Sequence, residues 1–168
     1  ITNKMNYPVD IYTTDNGIQF DIAAVALGDS STRLFWIDRL LSSGYSLPPL
    51  IHPSACVSSS ASIGPGSVIF AQAVVQSNTQ IGTGSILNTG CSVDHDSLLL
   101  KGVHICPGAR LAGSVKVGPR SFIGIGSSII QGISVGSDVV VGAGASVVRD
   151  VCDGLTVVGV PALPISSS

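Results

Sequence analysis

From Ile51 onward an aliphatic side chain recurs at every sixth position: Ile51, Val57, Ile63, Ile69 and so on to Val135, Val141 and Val147, seventeen in succession without an insertion. Four residues after each stands, in most repeats, a small one, among them Ala55, Ala61, Ser67, Ala73, Thr79, Ser85, Cys91 and Ser97. An α-helix repeats at about 3.6 residues and a strand at about two, so neither produces this period. A hexapeptide repeat is the signature of a parallel β-helix, in which three short strands make one triangular coil. The seventeen hexads make between five and six coils, stacked at the strand spacing of ~4.8 Å. The first and fifth places of each hexad point inward, and the turns between strands fall at the places between them.

Residues 1–50 have a different texture. "FDIAAVALG", Phe20 to Gly28, is a short apolar run that predicts a buried strand. Asp29 or Ser30 can then cap a helix through "STRLFWIDRLLSS", with Leu34, Ile37 and Leu41 on one face and Gly44 ending it. Pro48 and Pro49 close the segment as a stiff linker. The chain thus divides into a partial α/β segment over 1–50 and a β-helix domain with a C-terminal tail over 51–168.

Composition narrows the function classes. A net charge of −2 and a pI near 5.8 carry no nucleic-acid footprint. Hydrophobic residues make up 45% of the chain, yet Gly and Ser interrupt every stretch before the ~18–20 apolar residues a spanning helix needs, so no membrane insertion is expected. The opening "ITNKMNYPVD" has no secretory apolar region, and its lack of a starting Met reads as a processed or truncated piece. Cys56, Cys91, Cys106 and Cys152 lie far apart with no metal-binding spacing, so they read as free thiols of a reducing cytoplasm rather than disulfides.

Against this background "NTGCSVDHDS", Asn88 to Ser97, stands out, since charged residues are only 11% of the chain. His95 is third in the hexad beginning at Val93, so its imidazole should leave the prism. A histidine there is suited to general-base work near neutral pH, and an adjacent carboxylate can fix its tautomer. The same residues would also serve as a solvated turn. Gly113 lies 18 residues after His95, in the same place one coil along. Ile125 and Ala143 are stacked in the same way, and His104 falls at the sixth place of its hexad, at a corner. His52 in "IHPSA" reads as a turn residue, and Arg110, Lys116, Arg120 and Arg149 as cations that could meet phosphates or simply be solvated.

Several stretches carry a resemblance: "FDIAAVALGDSSTR", "LIHPSACVS", "SILNTGCSVDHDS", "VHICPGARLAGSVKVG", "FIGIGSSIIQGISVG" and "GVPA". Over about residues 20–162 the chain is similar to hexapeptide-repeat acyltransferases, in particular sialic acid O-acetyltransferases and bacterial amino-sugar N-acetyltransferases acting on UDP-4-amino sugars or perosamine. The resemblance implies a left-handed β-helix, acetyl-CoA as co-substrate, a sugar or nucleotide-sugar acceptor, a homotrimer with sites between prisms, and a cytoplasmic role in polysaccharide biosynthesis. It implies His95 as base and Asp96 as its partner, with Asp94 the alternative. It further assigns Gly113 to the thioester and its oxyanion, His104 to the acyl-CoA, the amides of Ile125 and Ala143 to the pantetheine slot, and Asn88 to the acceptor or the His95 loop. Two departures stand: no Gly-rich acceptor loop occurs in residues 1–19, and Leu163 follows "GVPA" where a basic residue is common.

Two other classes share the prism. A zinc enzyme of the γ-carbonic-anhydrase type needs three converging histidines, and His52 lies more than two coils before His95. A non-catalytic scaffold explains the repeat but leaves "DHD" without a role. Fold alone does not choose among them.

Overall fold

The computed structural model describes residues 21–165 of the chain. The Gly-rich loop sought in residues 1–19, and Phe20 of the apolar run, lie outside them. Two-residue strands follow one another at the spacing of the hexads, and each ends on one of the periodic aliphatic residues. They stack into three faces. The first carries Leu50–Ile51, Val68–Ile69, Ile86–Leu87, His104–Ile105, Phe122–Ile123 and Val140–Val141; the second runs from Cys56–Val57 to Ser146–Val147; the third runs from Ser62–Ile63 to Ser134–Val135. Pairing is parallel at an offset of 18 residues throughout, from Leu50↔Val68 to Ser128↔Ser146. This is the parallel β-helix, mainly β, that the period demanded, left-handed as the resemblance implied.

Inside the prism the first-place residues from Ile69 to Val147 are buried, with Leu87, Val93, Leu99, Ile105, Ile123 and Val141 wholly so. Fifth-place residues are buried beside them, and there the serines are no defect. Ser67 Oγ donates to the Gly82 carbonyl at 3.0 Å and accepts from the Ser85 N–H at 3.1 Å. Ser121 does the same between the Gly136 carbonyl and the Val139 N–H. A buried hydroxyl with both partners escapes the desolvation penalty of an unpaired one.

The two ends depart from the regular pattern. Ile51 is 45% exposed and Val57 and Ile63 are only half-buried, because no coil covers the open side of the first one, so Ile51 does not join the core. After Val147 the coil loses two residues: Val151 bridges Val135 and Thr156 pairs with Val140. Carboxylates cover the gap, with Asp150 Oδ1 accepting from the Ser134 N–H at 2.8 Å and Asp153 Oδ1 from the Ser137 N–H at 2.7 Å. Thr156–Val158 then turns back on Leu163–Pro164 as an antiparallel pair that ends the first face.

The N-terminal helix α1 spans Ser30–Ser42, capped by the Asp29 side chain accepting from the Thr32 N–H, with Gly44 at φ +88° just beyond it. It lies on one corner of the prism, against the stacked glycines Gly66, Gly84 and Gly102, whose missing side chains admit Ile37 and Leu34. Arg33 is wholly buried and holds the junction: its guanidinium donates to the carbonyls of Gly84, Gly102, Leu27 and Gly28. Two expectations are corrected here. Leu41 is 38% exposed, because the face that docks is Arg33, Leu34 and Ile37. The run Ile22–Leu27 is not a buried strand: it makes one parallel bridge, Ile22 to Ser46, and buries only Val25. With no further strand beside it among the described residues, there is no sheet interior to enter.

Leu99→Ala should cost about 2–5 kcal/mol, the usual range for emptying a fully packed aliphatic site. Ile51→Ala, at the open end, should cost under about 1 kcal/mol. Urea denaturation midpoints of the two variants measure the difference.

Candidate active site

Each hexad contributes a two-residue turn after its strand, so third and fourth places stand on the corners. His95 and Asp96 form such a turn between the second and third faces. The imidazole leaves the prism, and its side chain is 61% exposed. His95 Nδ1 lies 2.8 Å from Asp96 Oδ2, so the carboxylate partner is Asp96; Asp94 uses its backbone in the ladder and in a bond from Thr79 Oγ1. The hydrogen bonds from His95 and then from Asn78 hold the Asp96 carboxyl below the ordinary carboxylate range. An ionised carboxylate only accepts, so Nδ1 carries the imidazole proton and Nε2 is left with its lone pair free.

Gly113 lies directly against this ring, one coil along. A Cβ built there would stand 2.7 Å from His95 Cε1 and 2.7 Å from Nε2. The absent side chain is therefore what lets the imidazole lie along the corner. Among the described residues no acceptor bonds the Gly113 N–H.

His104 is not at a corner. The sixth place of a hexad is the outward residue of a strand, and His104 sits on the first face between Ile86 and Phe122. Its ring meets Phe122 edge-on at 5.1 Å, and its Nε2 is 3.5 Å from Asn88 Nδ2. Burial, and secondarily the charge of Arg33, lower its pKa below the usual 6.5. Asn88 Oδ1 also accepts from the Thr89 N–H at 2.8 Å, which ties that corner.

Ile125 and Ala143 stack on the corner between the first and second faces, both exposed, with no acceptor for either N–H among the described residues. The chain thus brings together His95, Asp96 and Gly113 on one corner, Ile125 and Ala143 on another, and Asn88 with His104 beside the latter. The whole second face separates the two corners. Arg120, a candidate for phosphate, is instead paired with Asp138, its Nε donating to Oδ1 at 2.7 Å on the third corner, next to the helix. Arg110 reaches only Ser92 Oγ, at 3.5 Å. His52 binds its own turn through Ser54, as its sequence setting suggested. Among the described residues no three potential ligands gather to hold a metal ion. All four cysteines are free thiols, and burial pushes Cys91 to about 12 and Cys106 to about 11. Asn78, which donates to Asp96, escaped the sequence reading; its only signal was its place 18 residues before Asp96.

The depressed His104 has a measurable consequence. Between its folded pKa and 6.5 the unfolded chain binds a proton that the folded chain refuses, so stability should fall as pH drops below about 6.5. His104→Gln should flatten that fall, checked by denaturation at pH 7.5 and pH 5.5.

No protein-family model matches the chain. Solved structures do. The acetyltransferase domain of PglB from Neisseria gonorrhoeae FA1090, in complex with acetyl coenzyme A, is 49% identical, with a TM-score of 0.86 over 88% of this chain and 71% of that one. A histidine-to-alanine mutant of GDP-perosamine N-acetyltransferase from Caulobacter crescentus, in complex with CoA and GDP-perosamine, is 40% identical, with a TM-score of 0.84 over 86% and 69%. WeeI from Acinetobacter baumannii AYE is 26% identical, with a TM-score of 0.77 over 90% and 74%. With hexads, site corner and these likenesses in agreement, the chain belongs to the hexapeptide-repeat sugar acetyltransferases.

Proposed function

We propose that the protein transfers an acetyl group from acetyl-CoA to the amine of a nucleotide-linked amino sugar, with His95 as the general base. The observation that carries this reading is the His95–Asp96 pair against Gly113: an outward-facing imidazole on a corner whose Nδ1 is held by a carboxylate. The likeness to enzymes bound to acetyl coenzyme A, and to CoA with GDP-perosamine, supports the donor and the acceptor class.

The chemistry balances on these groups. The acceptor nitrogen attacks the thioester carbonyl carbon, and its proton passes to His95 Nε2. Asp96 stabilises the imidazolium that forms, and the Gly113 N–H faces the developing oxyanion. The C–S bond then breaks, and the proton goes on to the CoA thiolate. Acetyl-CoA would lie along the Ile125–Ala143 corner, where the unpaired amides can meet pantetheine, with His104 and Asn88 beside it. A sugar hydroxyl could replace the amine without changing any of these roles.

Two corners separated by a face can share one substrate only if another prism lies against them, so the working form in this reading is a trimer. The outward row of the first face supports it: Leu50, Phe122 and Val140 are 47%, 40% and 39% exposed, an apolar row better covered than hydrated. Residues 1–50 would form the acceptor side of the site. Acetyl-CoA, nucleotide sugars and four free thiols fit a cytoplasmic enzyme that prepares sugars for polysaccharide biosynthesis. No helix among the described residues is long and apolar enough to cross a membrane.

His95→Ala should leave the circular dichroism spectrum and acetyl-CoA affinity intact while kcat falls by roughly 10²–10⁴. Thiol release with GDP-perosamine, UDP-4-amino sugars and sialic acids as acceptors measures it, and a folded variant within threefold of wild type would remove His95 from catalysis. Gly113→Ala should lower kcat as well as weaken acetyl-CoA binding, because its methyl displaces the imidazole. Sedimentation should give about three times the 17.0 kDa chain mass; an active species of one chain would contradict the shared site.

A further inference from the structure

Asn78 stands at the corner one coil below the His95–Asp96 turn, 18 residues before Asp96. Its side-chain Nδ2 donates to Asp96 Oδ1 at 3.1 Å, while Asp96 Oδ2 receives the bond from His95 Nδ1 at 2.8 Å. Each oxygen of the one carboxylate is thereby committed to a different partner. With only the His95 bond, an exposed carboxylate can rotate about its own axis and about its side chain, and the imidazole follows it. The second bond removes that freedom.

Asn78 is itself fixed. Its backbone N–H donates to Ser60 Oγ at 3.1 Å, one coil further down, and Ser60 Oγ lies 3.1 Å from Ser58 Oγ. Its φ of +58° matches the +58° of Asp96, so the two side chains leave equivalent corners in parallel. A column of hydrogen bonds thus runs from Ser60 through Asn78 and Asp96 to His95.

We infer that Asn78 is a positioning residue of the active site, holding the Asp96 carboxylate in the orientation that keeps the His95 proton on Nδ1. The inference rests on the reading of His95 as the base. The chemistry of the amide suits the task. A neutral donor fixes the carboxylate without cancelling the negative charge that must stabilise the imidazolium, whereas a lysine or arginine at the same corner would compete for it. The competing explanation is that asparagine is present only because it tolerates the left-handed corner. Glycine tolerates that corner better still, and this separates the two explanations.

The test uses the full chain and two substitutions. Asn78→Gly keeps the turn and removes the amide; Asn78→Asp keeps size and turn while setting a second carboxylate against Asp96. Both are measured by steady-state kinetics with acetyl-CoA and the acceptor that wild type turns over, and by nitrogen NMR of the His95 ring without substrates. Asn78→Gly should melt at or above the wild-type temperature, keep its KM for acetyl-CoA and lose roughly tenfold in kcat, the cost of a loosened base. Its His95 ring nitrogens should move from one protonated position toward a mixture of tautomers, and Asn78→Asp should show the larger change. A folded Asn78→Gly protein with kcat within twofold of wild type and an unchanged His95 nitrogen pattern overturns the inference. The reading beneath it fails separately, if His95→Ala stays active.

Discussion

A parallel ladder closes into a triangle only if each corner turns the chain by the same amount. Here the fourth residue of every hexad from Gly66 to Gly144 does so in the left-handed region, with φ between 55° and 73°. For most side chains that conformation costs about 1–2 kcal/mol, so glycine fills many of these corners and asparagine and aspartate fill others: Asn78, Asp96 and Asp138. The aspartate of the His95 pair is therefore first a residue that the corner tolerates. Because the corner also aims its side chain outward beside the third-place residue, the turn that closes the prism also delivers a carboxylate to an imidazole.

Constant register extends that logic along the prism axis. With an offset of 18 residues, every corner residue faces its counterpart one coil away, so side chains act in columns. Gly113 makes room for His95, Asn78 bonds Asp96, Asp138 pairs with Arg120, and Gly66, Gly84 and Gly102 together receive the helix. One inserted residue between Val57 and Val147 would shift a column and separate these partners. That mechanical dependence explains why the repeat runs without interruption through the part of the chain that holds the site, and shortens only after Val147.

The prism was legible because its physics is periodic: a six-residue repeat of aliphatic side chains has one economical packing, and the strands end on those residues. His95 was legible as outward-facing by the same count, as was its stacking on Gly113. Where interactions are not periodic the sequence spoke less clearly. Nothing in the helical pattern singles out Arg33, and only the docking of α1 on three glycines turns it inward to four carbonyls. Arg120 and Asp138, by contrast, are both fourth in their hexads and 18 residues apart, so their pairing follows from the same count that stacks His95 on Gly113. His104 was misplaced to a corner, although the place before an inward residue is the outward half of a strand.

The separation of the two corners is the remaining constraint. A rigid prism cannot bend one edge toward another, since every strand of the second face between Cys56–Val57 and Ser146–Val147 is held on both sides by its ladder. Conformational closure within one chain is thus a poor route for joining His95 to the amides of Ile125 and Ala143. In the proposed trimer, juxtaposition with a second prism would cost no internal strain and would also cover the apolar outward row of the first face. On the proposed reading, the rigidity that keeps His95, Asp96 and Gly113 in register is also what obliges the acetyl donor and the base to come from different copies of the chain.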